Sequence, residues 1–303
     1  MNITSCIMVL SHVCNYNCKH CYDRYKSNLL NDMQIYKNAC RLLRVLKKMG
    51  IHKVMFSGGE CTLFPYLSHL ITYTKKLGIS PSVFTNGSCQ NIEIFKDVNM
   101  ISVSMDGNCE LHNNIRGNPF AYKRVIDFLN MEQIKTKNLH VQITINKLNI
   151  KDLSFIDDII TRISFPKDSI SVSAMVRTFD EGKNKLLLNQ KDYKYIHDYI
   201  HKLCEKHSYH IDISTDIMER AFLNTIDVKV INFPLFIDVG RKKFYVFVDI
   251  ETFTGDIADL SINSIHEKYL AVLAKFKAGL MSCTAEYVTP SDFLIDKNIG
   301  TTV

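Results

Sequence analysis

Along the first 180 residues, short apolar runs rich in β-branched side chains alternate with longer stretches in which apolar positions recur every three to four residues. The first pattern belongs to strands and the second to amphipathic helices, so the alternation predicts parallel strands joined by helical crossovers. Six units can be read. Strands are expected at residues 3–10, 53–57, 81–85, 100–105, 139–145 and 169–176, with helices at 32–49, 66–77, 91–96, 120–135 and 153–163. Asp32 and Asn91 stand where N-caps belong, and Gly50 and Gly78 where helices stop. Right-handed crossovers curl such a sheet, and six strands leave it open on one side. The expected fold is α/β, a partial (β/α)6 TIM-like barrel.

After residue 180 the pattern changes. A polar stretch leads to a helix at 192–207 and then to a less regular segment up to residue 232. Residues 235–239 and 244–250 alternate around Gly240-Arg241-Lys242-Lys243, a β-hairpin signal, and 265–277 has helical period. The expected organisation is a barrel core at 1–180, a helical connector at 181–232, and a small hairpin-plus-helix extension at 233–303.

Composition narrows the classes. A 303-residue chain with 46% hydrophobic residues can bury a sizeable core, and its apolar stretches are interrupted before they could span a membrane. Residues 1–10 lack the basic start of an export signal, so ten cysteines fit a reducing cytoplasm better than a disulfide scaffold. The net charge of +6 is spread over solvated helical faces such as Arg41, Arg44, Lys47 and Lys48, which argues for neither nucleic acid nor membrane.

The chemistry concentrates in Cys14-Asn15-Tyr16-Asn17-Cys18-Lys19-His20-Cys21, a C-x3-C-x2-C run expected just past the first strand. Clusters used only for electron transfer normally carry four thiolates, so a tight triplet implies a [4Fe–4S] cluster with one iron open to a small molecule. The alternative is zinc with His20 or His12 as a fourth ligand. Gly58-Gly59-Glu60 follows the second strand, Thr85-Asn86-Gly87 the third, and Ser102-Val103-Ser104-Met105-Asp106-Gly107 the fourth, all on one rim. Two glycines let a main chain approach a ligand closely; alone, they would make a turn. Arg116, in the run His112-Asn113-Asn114-Ile115-Arg116-Gly117, offers a bidentate guanidinium or is a surface loop residue. Cys40 reads as core packing and Cys61 as a small hydrophobe. Cys89 and Cys109, in loops near the mouth, are inert thiols or hydrogen-atom donors, and His197 and His201 form a solvated helical face.

The cysteine run, the Gly-Gly-Glu and the S-x-D-G…H-x-x-x-R-G pattern together resemble the radical S-adenosylmethionine (SAM) superfamily, in particular its peptide-modifying maturases. The resemblance implies that Cys14, Cys18 and Cys21 ligate the cluster. The open iron would chelate SAM, and reductive cleavage would yield a 5′-deoxyadenosyl radical that abstracts hydrogen from the substrate. It also implies that Gly58, Gly59 and Glu60 support the amino group of SAM and that Arg116 binds its carboxylate. Asn86, Ser104 and Asp106 would supply small polar groups for the ribose and carboxylate, and Asn146 and Met175 would lie at the nucleoside. His20 stands where relatives carry an aromatic residue that packs on SAM, and Cys61 where proline commonly follows.

The tail resembles twitch and SPASM extensions, whose auxiliary clusters need cysteines where this chain has Ile237 and Leu260. With only Cys204 and Cys283 in the last 190 residues, a degenerate extension without that cluster is expected. Loss of such an electron sink favours a redox-neutral outcome, epimerisation or rearrangement, on a ribosomally made peptide. A cluster loop so near the start leaves no room for a leader-binding domain, so recognition would fall to the tail or to a separate leader-peptide-binding protein. A reductant such as flavodoxin or ferredoxin is implied. The alternatives are a small-molecule substrate (nucleoside, sugar or amino acid) and a non-catalytic iron–sulfur or zinc scaffold.

Overall fold

The computed structural model describes residues 4–21, 27–131, 134, 138–162, 169–174, 182, 185–213, 235–245, 254–261, 263 and 264. Six strand-then-helix units follow one another. They begin with β1 (Ser5–Val9), α1 (Asp32–Lys48), β2 (Lys53–Ser57), α2 (Leu67–Lys76), β3 (Ser80–Thr85) and β4 (Met100–Ser104). The run continues through α3 (Cys109–Arg116), α4 (Ala121–Asn130), β5 (Asn138–Ile145), α5 (Ser154–Arg162), β6 (Ile170–Ala174), α6 (Gln190–His207) and β7 (Ile211–Ile213). The tail adds β8 (Leu235–Asp238), β9 (Lys243–Tyr245) and β10 (Thr254–Asp256). The single sheet has the order β10-β9-β8-β1-β2-β3-β4-β5-β6-β7, parallel throughout except at the β8–β9 and β9–β10 pairs. It is the open, mostly parallel sheet of a partial TIM barrel.

Beyond the six barrel strands and the two hairpin strands expected, the sheet has two more, β7 and β10. β7 extends the far edge within a segment that looked irregular, because three residues are too few to show a period. β8 pairs parallel with β1, so the tail hairpin continues the barrel sheet at its first edge rather than standing apart from it.

Alternation along the strands sorts the two faces. Cys6, Met8, Val54, Phe56, Val83, Ile101 and Val103 pack with α1 and α2 in one helix-covered core, and Val141, Ile143, Ile145, Ile170 and Val172 pack with α5 and α6 in a second. Ile7, Met55, Phe84, Met100 and Phe236 form a separate cluster built from strand residues alone, which marks the concave face.

Several local expectations are corrected. Asn31, not Asp32, caps α1: its carboxamide accepts from the Gln34 N–H and the Gln34 side chain accepts from the Asn31 N–H, which leaves Asp32 in the first turn near the helix dipole. The 91–96 helix is a 3₁₀ turn at Ile92–Phe95, and Asn91 makes no side-chain cap. Residues 109–116 form a helix where a loop was expected; two asparagines depress its propensity, and the Asn108 side chain caps it by accepting from Leu111 N–H. The α4 helix ends at Asn130 with Met131 extended, short of residue 135. Met175, the expected 265–277 helix and Cys283 lie outside the described residues. No described helix is long and apolar enough to cross a membrane.

Candidate functional site

The cysteine loop leaves β1 at the C-terminal rim and is gripped by backbone. Gly59 N–H donates to Ser11 O at 2.8 Å and Glu60 N–H to Val13 O at 2.9 Å. A Cβ on Gly58 would stand 2.3 Å from Ser11 O, and one on Gly59 2.4 Å from Val13 O, so only glycine admits the loop this closely. The sequence suggested that the pair clears space for a ligand; here it clears space for the cysteine loop itself. On the other side, Asn17 N–H and Lys19 N–H donate to Arg116 O and Ile115 O at 3.2 and 2.8 Å, satisfying the last carbonyls of α3. Gly117 ends that helix at φ 62°, and a Cβ there would lie 2.4 Å from Asn17 O. From β3, Asn86 donates through Nδ2 to Asn15 Oδ1 at 2.9 Å, and Asn15 in turn donates to Ser88 Oγ. Three rim motifs thus converge on one loop.

Glu60 is 2% exposed. Its Oε1 accepts from Thr62 Oγ1 (2.6 Å), Thr85 Oγ1 (2.8 Å) and Thr62 N–H (3.3 Å), and its Oε2 from Asn86 N–H (2.7 Å). Burial raises its carboxyl above the ordinary value, and these neutral donors offset only part of that. The carboxylate therefore ties β2 to the end of β3, and Oε2, with one donor, keeps acceptor capacity for a cation.

Asp106 is fully buried and pairs with Arg116, Nη2 to Oδ2, at 2.6 Å. Its Oδ1 accepts from Thr144 N–H at 3.0 Å, and Asp106 N–H donates to His112 Nδ1 at 3.0 Å. That bond fixes the neutral tautomer of His112 with hydrogen on Nε2, and burial followed by the Arg116 charge pushes its pKa down to about 3. Burial alone would raise the Asp106 carboxyl, but the Arg116 charge, first among the groups that oppose it, and the Thr144 N–H help to hold it below its usual value. Arg116 also reaches the Cys18 sulfur, Nη1 to Sγ 3.8 Å, so its charge is already shared between a carboxylate and a cysteine. Far from a surface residue, it is 7% exposed, and burial against its charge is more than offset by Asp106 and Cys18.

The remaining expected residues fall around this ring. Ser104 ends β4 half-buried beside Gln142, and Asn146 is buried in a turn where its side chain accepts from Leu148 N–H and donates to Thr144 O. His20 is half-buried near Asp106. Cys61 is buried and donates to Phe84 O at 2.9 Å, so it does not face the mouth. Cys89 is half-buried, and Cys109, exposed, opens α3. His12, considered as a zinc ligand, turns Nε2 onto Asp238 of β8 at 3.1 Å, both side chains 2% exposed. Sequence reasoning missed this contact and the Thr62 and Thr85 hydroxyls on Glu60. The only hint was that Asp238 sits at a strand end among apolar neighbours.

The donor set, three thiols in one loop, is of the kind a cubane cluster takes. No described cysteine is in a disulfide, and no group of three His, Cys, Asp or Glu side chains among the described residues could hold a single metal ion. Donors already aim at the sulfurs: Tyr16 N–H at Cys14 Sγ (3.4 Å) and Arg116 at Cys18 Sγ. Such contacts stabilise an anionic cluster.

Comparison with known proteins agrees. The family described as the Radical SAM superfamily matches residues 8–159. An Fe-coproporphyrin III synthase of Methanosarcina barkeri is 28% identical over 159 residues, 51% of this chain and 40% of that protein. An S-adenosylmethionine-dependent nucleotide dehydratase of a Thermoplasmatales archaeon is 37% identical over 57 residues, 19% of this chain and 20% of that protein. The chain thus spans less than half the length of these relatives. Among solved structures, Streptococcus suis SuiB bound to S-adenosylmethionine superposes with a TM-score of 0.68 at 14% identity, covering 87% of this chain and 65% of SuiB. Native anSMEcpe with bound AdoMet gives 0.66 at 17% identity, covering 87% of this chain and 80% of that one.

Proposed function

Because the chain belongs to the radical SAM superfamily, we propose that it reductively cleaves SAM at a [4Fe–4S] cluster held by Cys14, Cys18 and Cys21 and abstracts hydrogen from a ribosomally made peptide. The observation that carries this reading is the cysteine loop locked between Gly58–Gly59 and Arg116–Gly117, with a buried carboxylate on one side and a buried guanidinium on the other. When bound, the cluster and SAM supply an electron and a 5′-deoxyadenosyl radical. The protein's residues supply position and charge. Glu60 is a buried anion held by neutral donors, suited to a SAM ammonium through Oε2. Arg116 is held rigid by Asp106 and spends Nη1 and Nη2 on Cys18 and Asp106, which leaves Nε to face a SAM carboxylate. Asn86, Ser104, Asn146 and His20 would frame the nucleoside. Cys14 and Val13 are exposed, which supports approach of a reductant such as flavodoxin or ferredoxin to the loop's outer edge.

The peptide reading is supported by likeness in fold to SuiB, one of whose structures is bound to the precursor peptide SuiA (TM-score 0.66, 15% identity). The redox-neutral outcome rests on Ile237 and Leu260, which stand where auxiliary-cluster cysteines would be, and recognition would use the tail or a separate leader-binding protein. A second reading, a small-molecule substrate, is favoured by the names of the two curated relatives, a porphyrin-forming synthase and a nucleotide dehydratase.

The test is anaerobic reconstitution with iron and sulfide, then SAM and dithionite. About four irons per chain, with 5′-deoxyadenosine that disappears in Cys18→Ala, supports the reading. Zinc in place of iron, or intact SAM over a formed cluster, would overturn it.

A further inference from the structure

The concave face of the sheet is divided. Its apolar part runs over β8, β1, β2, β3 and the start of β4, formed by Phe236, Ile7, Met55, Phe84 and Met100. Beyond Met100, the inward positions of β4 to β6 carry Ser102, His140, Gln142, Ser171 and Ser173 instead, since the intervening residues Ile101, Val103, Val141, Ile143 and Val172 belong to the helix-covered cores. The register places Ser102 beside His140 and Ser104 beside Gln142.

Part of this wall closes on itself. His140 Nε2 meets Ser171 Oγ at 3.0 Å, and Gln142 Nε2 donates to Ser173 Oγ at 3.0 Å. Two atoms stay unanswered: the hydroxyl of Ser102, on a fully buried residue, and Oε1 of Gln142. Turning the Gln142 amide over only changes which of its atoms is left. Each such group is costly when buried without a partner, and an alanine or a methionine would avoid the cost. Among the described residues, the inward positions of β4 to β6 carry no Asp, Glu, Lys or Arg.

We propose that this wall is the substrate-orienting surface and that it reads a neutral amide group on the substrate. Ser102 and Gln142 between them offer a hydroxyl and one end of a carboxamide, which an amide matches with its own carbonyl and N–H. A charged group there would be buried without a counter-ion, which is far more costly. The apolar half of the face would hold the carbon skeleton opposite. Ser102 lies two residues deeper along β4 than Ser104, so the amide would sit below the expected position of SAM. The inference rests on the proposed function for its location in the active barrel, and it deepens that reading by naming what the substrate presents.

The test uses the reconstituted protein and three probes of one shape: acetamide, acetate and acetamidinium, their dissociation constants measured by ligand-observed NMR. Acetamide is expected to bind at least about tenfold more tightly than either ion. Its affinity should be the same with and without SAM and should be lost in Ser102→Ala/Gln142→Met. That double variant should melt no lower than wild type, which shows that it folds and that two uncompensated groups were removed. Preference for an ion, displacement of acetamide by SAM, binding that survives the double variant, or a lowered melting temperature would overturn the proposal. Whether the wild-type protein forms 5′-deoxyadenosine is read separately. Its absence would sink the proposed function while leaving the acetamide result standing.

Discussion

Glu60 and Asp106 are two buried carboxylates just past the ends of β2 and β4 on the same rim, and their chemistry is opposite. Asp106 is answered by a buried guanidinium, so its pKa falls; Glu60 is answered by hydroxyls and amide N–H groups, so burial prevails and its pKa rises. Neutral donors orient a carboxylate without cancelling its charge. The difference suits them to different work: Asp106 is already paired and holds Arg116 and α3 against the cysteine loop, while Glu60 has no counter-charge of its own and under the proposed function would receive one from an ammonium.

The comparison breaks most sharply at Asp106. Asp106→Ala leaves Arg116 buried without its carboxylate and should cost about 3–5 kcal/mol of stability in urea denaturation; a loss under about 1 kcal/mol would show that Cys18 alone satisfies the guanidinium. Glu60→Gln should be milder, about 1–2 kcal/mol, because only the Asn86 N–H loses its acceptor. It should nevertheless weaken SAM binding to the reconstituted protein about tenfold or more, measured by equilibrium dialysis. Equal stability losses in the two variants would erase the distinction.

Acid titration of the metal-free protein sharpens it further, because the signs differ. Asp106 is lowered on folding, so its contribution is present above the ordinary aspartate range and is lost as pH falls through its folded value. Glu60 is raised, so the unfolded chain ionises first and stability falls as pH rises from about 4.5 towards the folded value. Stability of wild type minus Asp106→Asn should therefore grow with pH in the acid range, and that of wild type minus Glu60→Gln should shrink. The smallest effect is expected at His112. With a folded pKa of about 3 against about 6.5 unfolded, it contributes stability above 6.5 that is lost as pH falls between those values. His112→Asn, which keeps an acceptor near Asp106 N–H, should cost about 1 kcal/mol at pH 7 and flatten that slope.

Much of the fold was legible because its signals are local. The six-unit alternation shows in side-chain period, and the cysteine triplet shows in spacing alone. What escaped was non-local. α3 looked like a loop because its residues favour helix weakly, yet its carbonyls are claimed by the cysteine loop nearly a hundred positions earlier in the chain. The Gly58–Gly59 pair could be placed at a strand end, but not matched to the backbone it accommodates.

The sequence by itself determined which residues could do the chemistry: three thiols at cluster spacing, a glycine pair, two acids and an arginine on one rim of a parallel sheet. Only the tertiary structure decided how they divide the work. It set Arg116 on Asp106 and Cys18, Glu60 on Thr62, Thr85 and Asn86, and His12 on Asp238, and it left Ser102 and Gln142 unanswered on the concave face. The reason is physical. Spacing along a chain fixes which side chains share an element, but charge compensation and hydrogen-bond satisfaction depend on which elements meet, and burial sets how much each unmet group costs.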